Sequence, residues 1–207
     1  MLSIRNVAHA FGATELSYPD WQVAKGDHSV ILGNSGSGKT TLLHLLGGLM
    51  PPKSGEILID GQDMSHLSGG KLDRFRGQNI GIVFQRPHLV RSLTIEENLA
   101  LSMMLGKSKI IQSRIEGLLD SLGILDLKNR KIHQISQGQA QRVSIARAVI
   151  NSPKILLADE PTASLDDDSC SRVIELLKEQ AKANDSTLIV ATHDQRVKSE
   201  FENQLSL

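Results

Sequence analysis

The chain has 207 residues, 40% of them hydrophobic, and its 23 Lys plus Arg are matched by 23 Asp plus Glu. That length supports one full core, or one core with a small appended subdomain. A formal net charge of zero excludes the global basic field that draws a chain to nucleic acid or anionic lipid, and leaves only local patches. The single cysteine, Cys170, excludes an internal disulfide and a cysteine-based zinc spacing, which points to a reducing, cytosolic compartment. Residues 1–10 lack the apolar run of a signal peptide. No apolar stretch approaches the ~20 residues that cross a bilayer; even residues 42–50 are broken by His44, Gly47 and Gly48.

In chain order, short strands are predicted at 2–7, 28–32 and 56–59, with Lys25-Gly26-Asp27 and Asp60-Gly61 as turns. A Leu-rich helix over 40–49 starts at a glycine loop and stops at Gly47-Gly48 and Pro51-Pro52. A strand follows at 80–84. The block 86–150 reads as all-helical. Within it, Ser92-Leu93-Thr94 with Glu96 and Glu97 caps a helix whose apolar side carries Leu99, Leu101, Met103, Met104 and Leu105. A second helix over 110–122 has Ile111, Ile115, Leu118, Leu119 and Leu122. Strands at 155–158 and 187–191 enclose a helix at about 167–183, the alternation of parallel βαβ units.

Gly33-Asn34-Ser35-Gly36-Ser37-Gly38-Lys39-Thr40 matches G-x-x-x-x-G-K-[ST] in full, between a predicted strand and a predicted helix. The glycines let successive N–H groups turn towards phosphate oxygens, and the helix adds its positive end. Lys39 is expected to reach the β- and γ-phosphates and Thr40 to place its hydroxyl on Mg²⁺. No Asn-Lys-x-Asp segment occurs, which disfavours guanine. Further on, Ile155-Leu156-Leu157-Ala158-Asp159-Glu160 is an apolar strand ending in two acids, at the sheet edge where open α/β sheets bind ligands. Asp159 is expected to hold Mg²⁺, and Glu160 to polarise an attacking water as general base.

Ile135-Ser136-Gln137-Gly138-Gln139, followed by residues 140–148, resembles the Leu-Ser-Gly-Gly-Gln signature of the ATP-binding-cassette family. With the two motifs above, the resemblance runs over nearly the whole chain. It implies an α/β fold: a P-loop NTPase (RecA-like) core with a small N-terminal antiparallel β subdomain and an inserted α-helical subdomain. Residues 1–85 and 151–207 form the core and β subdomain of one cassette, and 86–150 the helical subdomain. It also implies ATP and Mg²⁺ as cofactors, sandwiched between the phosphate loop of one subunit (Gly33 to Thr40, with Thr41) and Ser136, Gly138 and Gln139 of a second copy. Gln137 departs from the pattern, standing where the family usually has Gly.

Other positions carry over by the same resemblance. Gln85 matches the glutamine that touches Mg²⁺ and water, so that Thr40, Gln85 and Asp159 form the metal set. His193 matches the histidine that contacts the γ-phosphate; Glu160, His193, Gln85 and Lys39 form the catalytic set. Ser164-Leu165-Asp166 resembles the loop that crosses the dimer interface. Phe11 falls where an aromatic stacks on adenine, with a core role as the alternative. Residues 72–85 and 93–99 are similar to the lipoprotein-releasing, macrolide-exporting and cell-division branch.

The resemblance implies an ATPase subunit that drives a membrane permease from the cytoplasmic face of the inner membrane, touching the membrane only through that permease and binding no nucleic acid. Residues 88–91 and the helix after Ser92 line either the groove for a permease helix or a plain solvated loop. The alternatives are a nucleotide-gated interaction module of low turnover, or a soluble non-transport cassette protein. Family members usually finish with a terminal hairpin, of which residues 203–207 supply at most a first strand.

Overall fold

The computed structural model describes residues 1–12, 14–163 and 165–207; Ser164, grouped above with Leu165 and Asp166, lies outside the described residues. The chain opens with β1 (Leu2–Phe11), β2 (Thr14–Ser17) and β3 (Trp21–Val23), followed by β4 (Ser29–Leu32) and α1 (Lys39–Leu46). Next come β5 (Ser54–Ile59), β6 (Gln62–Asp63), α2 (Gly69–Asn79) and β7 (Ile80–Val83). Helices α3 (Ile95–Leu105), α4 (Gln112–Ser121) and α5 (Gln137–Val149) form the middle, with two short 3-10 turns between the last two. The chain continues through β8 (Ile155–Asp159), α6 (Asp167–Ala183), β9 (Thr187–Thr192), α7 (Gln195–Lys198) and β10 (Asn203–Ser206).

Two sheets result. An antiparallel sheet runs β2-β1-β5-β6, with β3 also paired to β1. A parallel sheet runs β10-β4-β9-β8-β7. In β4, β8 and β9 every residue is buried, as parallel strands covered on both faces require. Their alternating side chains feed two cores. Ile31, Ile155, Leu157, Ile189 and Ala191 pack with α1 and the antiparallel sheet, while Val30, Leu32, Leu156, Ala158, Leu188 and Val190 face α5, α6 and the helical block.

α5 joins the helical block to the sheet. Val143, Ile145, Ala146, Ala148 and Val149 are buried, and it lies so close to β7 that a Cβ on Gly81 would sit 2.3 Å from the Ala148 carbonyl oxygen. Leu99, Met103, Ile115 and Leu119 belong to the same continuous core as Leu156 and Val190. Thr94 caps α3 reciprocally: its hydroxyl accepts from Glu97 N at 3.2 Å and Glu97 Oε2 accepts from Thr94 N at 2.7 Å. Such a cap contributes about 1 kcal/mol.

The predicted strands and helices all form, with ends shifted by a few residues. α2 was not anticipated, because it buries none of its residues fully and so shows little apolar periodicity. β10 supplies the one strand expected of residues 203–207; it pairs parallel to β4, Asn203 opposite Ser29, and forms the edge of the parallel sheet. Because one core spans helical block and sheet, Leu99→Ala is expected to cost about 2–5 kcal/mol in a single unfolding transition. Urea denaturation followed by circular dichroism checks this; two separated transitions would show that the block melts alone.

Candidate functional site

Parallel register brings four strand ends to one edge. Leu32 of β4 lies opposite Thr192 of β9, Asp159 of β8 opposite Ala191, and Val83 of β7 opposite Ala158. The segments that follow, starting at Gly33, Phe84, Glu160 and His193, therefore emerge together, where open α/β sheets bind ligands. They border a cleft of about 510 Å³ lined by Ser35, Gly36, Gly38, Lys39, Thr40, Thr41, Gln85, Glu160 and His193, with Phe11, Thr14 and Leu16 on one side.

The loop between β4 and α1 curls through Gly36 at φ 83° and Gly38 at φ 96°, left-handed conformations that favour glycine. Lys39 folds back over it, donating from Nζ to the carbonyls of Gly33 at 2.8 Å and Asn34 at 2.9 Å. Ser37 turns inward, its Oγ buried without a hydrogen-bond partner. The Tyr18 hydroxyl donates to the Gly38 carbonyl at 3.1 Å, tying the antiparallel sheet to the loop. Burial raises the Tyr18 pKa and keeps that donor protonated.

The two acids have different surroundings. Asp159 is buried and accepts from Thr40 Oγ1 at 3.1 Å; burial raises its pKa, partly offset by that hydrogen bond. A desolvated carboxylate beside a hydroxyl is a donor set that suits a hard divalent cation. No group of three or more His, Cys, Asp or Glu placed to hold a metal ion occurs among the described residues, and Mg²⁺ needs none, because it keeps several waters and phosphate oxygens. Glu160 takes a left-handed backbone, φ 44°. Its Oε2 accepts from Thr192 Oγ1 at 2.9 Å, while Oε1 lies 2.8 Å from His193 Nδ1 and 3.8 Å from Lys39 Nζ.

Ser136, Gly138 and Gln139 lie outside the cleft. Ser136 caps α5: its Oγ accepts from Gln139 N at 3.2 Å and Gln139 Oε1 accepts from Ser136 N at 2.9 Å. A Cβ on Gly138 would meet nothing within 4 Å, so nothing in this chain demands glycine there. Asp166 caps α6, accepting from Ser169 N at 2.9 Å, which lowers its pKa. Phe11 is 50% exposed with its ring edge-on to His9 at 4.7 Å, which rules out the alternative core role. Gln137 and Gly138 line a second cavity of about 210 Å³ together with Gln85 and Glu160.

Several residues escaped the sequence reading. Thr192 and Asp194 flank His193; Asp194 accepts from Arg196 Nη2 at 2.7 Å and from Thr162 Oγ1 at 3.1 Å. Arg196 also donates to the Leu165 carbonyl at 3.2 Å and to Asp167 at 2.5 Å, so the strap after His193 is tied to the start of α6. The only available signal was their adjacency to His193; Tyr18 offered none.

A glycine-rich loop wrapped by its own lysine, at the edge of a parallel sheet with an acid pair on the adjoining strand, defines a P-loop nucleoside-triphosphatase fold. The ABC transporter family model matches residues 16–163, and the chain belongs to that family. It is similar to MJ0796, described as a bacterial ABC transporter cassette, at 32% identity and TM-score 0.87, over 100% of this chain and 94% of that one. The same figures hold for a dimeric post-hydrolysis state of MJ0796 bound to ADP and Pi. cbiO1 from Clostridium perfringens, part of the ABC transporter complex cbiONQ, matches at 32% identity and TM-score 0.82, over 93% of this chain and 78% of that one.

Arg196 holds the Asp194 carboxyl at about 2, below its usual 3.8. A depressed pKa contributes stability that is complete above pH 3.8 and lost as pH falls towards about 2. Arg196→Ala is therefore expected to move acid unfolding to higher pH. Tyrosine or tryptophan fluorescence during acid titration reads the shift; an unchanged midpoint would refute the coupling.

Proposed function

We propose that this chain binds and hydrolyses Mg-ATP as one half of a head-to-tail dimer and drives a membrane permease. The observation that carries the reading is the setting of Glu160. It is held by Thr192 and His193 within reach of Lys39, while the Thr40–Asp159 pair occupies the same strand edge. Bound Mg-ATP supplies the γ-phosphoryl group and partly neutralises its charge.

Each residue has a role that its surroundings support. The N–H groups of Gly33 to Thr41 and the start of α1 receive phosphate oxygens. Lys39, already bound to its own loop carbonyls, adds a fixed positive charge without moving far. Thr40, Gln85 and Asp159 hold the cation. Glu160 takes a proton from the attacking water, and His193 and Thr192 orient its carboxylate. Phe11, exposed at the rim, offers a face to the adenine ring.

Ser136, Gly138 and Gln139 close the site of a second copy, and Asp166 with Leu165 stands at the same interface. The open space at Gly138 supports this, since a glycine that its own chain does not require is explained by the close approach of a ligand on another chain. The dimeric MJ0796 cassette and the membership of cbiO1 in a transporter complex favour the same arrangement. No described helix is long and apolar enough to cross a membrane, and in this reading the permease supplies the membrane-spanning part while this chain sits on its cytoplasmic side. The groove lined by His44, Leu49, Met50, Phe84, Arg86 and His88, which also borders Gln85 and Asp159, is the proposed docking place for a permease segment.

A second reading, low turnover with nucleotide-gated interaction, is favoured by Gln137, which lines the same cavity as Gln85 and Glu160. It adds a side chain where the family pattern has glycine.

Glu160→Gln is expected to retain ATP and accumulate as a dimer on a sizing column, because binding survives while water activation is lost. A variant that stays monomeric in Mg-ATP would falsify the sandwich. Adding Gly138→Leu to it is expected to abolish the dimer at an unchanged melting temperature. Lys39→Ala is expected to abolish hydrolysis, and Gln137→Gly to raise kcat if the signature glutamine slows turnover; a phosphate-release assay reads both.

A further inference from the structure

Four of the large apolar side chains that the fold leaves in solvent fall within residues 104–111: Met104 at 56% exposure, Leu105 at 66%, Ile110 at 55% and Ile111 at 47%. Between them stand Lys107 and Lys109, both exposed, and no Asp or Glu occurs anywhere from 98 to 115. Neither lysine makes an ion pair among the described residues. The chain is neutral as a whole, so this is a local basic and apolar patch on a balanced surface.

The patch is firmly mounted. α3 ends in a turn closed by Lys107 N to Met104 O at 3.0 Å and Ser108 N to Met103 O at 2.9 Å. Beneath it, Asn151 Nδ2 donates to Gly77 O at 3.1 Å and to Ser102 O at 2.9 Å, binding the end of α3 to the end of α2. Gly106 fits so closely that a Cβ there would lie 2.5 Å from Asn151 Nδ2. The exposed side chains therefore project from an anchored base. The patch lines none of the clefts described above, whereas an amphipathic helical partner lays its apolar face into a groove.

Large apolar side chains interleaved with lysines and free of acids match one surface in particular. At the headgroup level of an anionic bilayer, apolar groups enter the acyl boundary while ammonium groups meet lipid phosphates. We propose that the patch 104–111 is a peripheral membrane-contact element that inserts Met104, Leu105, Ile110 and Ile111 into an anionic phospholipid surface, with Lys107 and Lys109 pairing with its phosphates. None of these residues lines the cleft at the phosphate loop, and the proposal goes beyond attachment through a permease, since the chain alone should bind lipid.

The test is co-sedimentation of the full chain with vesicles of phosphatidylglycerol and phosphatidylcholine in equal parts, against phosphatidylcholine alone. The wild type is expected to bind the anionic vesicles, with affinity that falls as salt rises. Lys107→Glu with Lys109→Glu is expected to weaken binding about tenfold or more, and Leu105→Ser with Ile110→Ser to weaken it comparably. Lys182→Glu with Lys198→Glu, exposed elsewhere, should leave it unchanged, and matching thermal unfolding verifies that every variant folds. Absent binding, equal binding to both vesicle types, or patch variants that bind like wild type would each overturn the proposal. So would patch variants that lose a detergent-solubilised permease while keeping vesicle binding, which would assign the patch to a protein partner.

Discussion

The common register of β4, β8 and β9 is the constraint on which the site depends. Leu32 stands beside Thr192 and Asp159 beside Ala191, so a shift of one residue would separate the phosphate loop from the acids by a strand rise of roughly 3 Å. It would also turn each strand over. Ile31, Leu157 and Ile189 would leave the core shared with α1 for the one shared with α5 and α6. Burial on both faces thus fixes the alignment of loop, acids and His193, which share no sequence neighbourhood.

On that frame the polar groups form a connected set. Lys39 lies within 3.8 Å of Glu160 Oε1, Glu160 is bonded to Thr192 and His193, and the residues after His193 are tied through Asp194 and Arg196 to Leu165 and Asp167. One continuous path of hydrogen bonds and ion pairs leads from the phosphate loop to the start of α6. α5 supplies the other long-range link. Its N-terminus carries Ser136 while its body is buried between the helical block and β7, and Gln141 Nε2 reaches the Pro161 carbonyl at 3.4 Å, next to Glu160. The helical block is thus joined to the segment that carries Glu160 through packed atoms and a hydrogen bond.

Much of the site was legible before any fold existed, because its chemistry is written in contiguous residues. The phosphate loop, the acid pair at the end of an apolar strand and the Ser136 helix start each hold their geometry through bonds spanning a few residues, as in Lys39 to Gly33 and Ser136 to Gln139. The capping of α3 by Thr94 and Glu97 was equally local. What stayed hidden was what a different part of the chain supplies. Tyr18 reaches Gly38 from the antiparallel sheet, and Thr162 and Arg196 meet at Asp194 from separate elements. α2 hid for another reason: a helix that buries no residue fully leaves no periodic imprint.

The sequence by itself determined the class of fold, the position of the glycine-rich loop and of the acid pair in the chain, and the absence of a global charge, since each follows from short motifs, apolar runs and composition. Tertiary structure alone decided that Phe11 stands in solvent at the cleft rim and that β10 closes the sheet edge in parallel with β4. It also decided that Ser136 and Gly138 lie outside their own chain's cleft, and that Met104 to Ile111 form an exposed patch. The physical reason is the same in each case: exposure, strand partner and distance between motifs depend on which distant segments pack together, and no stretch of chain specifies its neighbours alone.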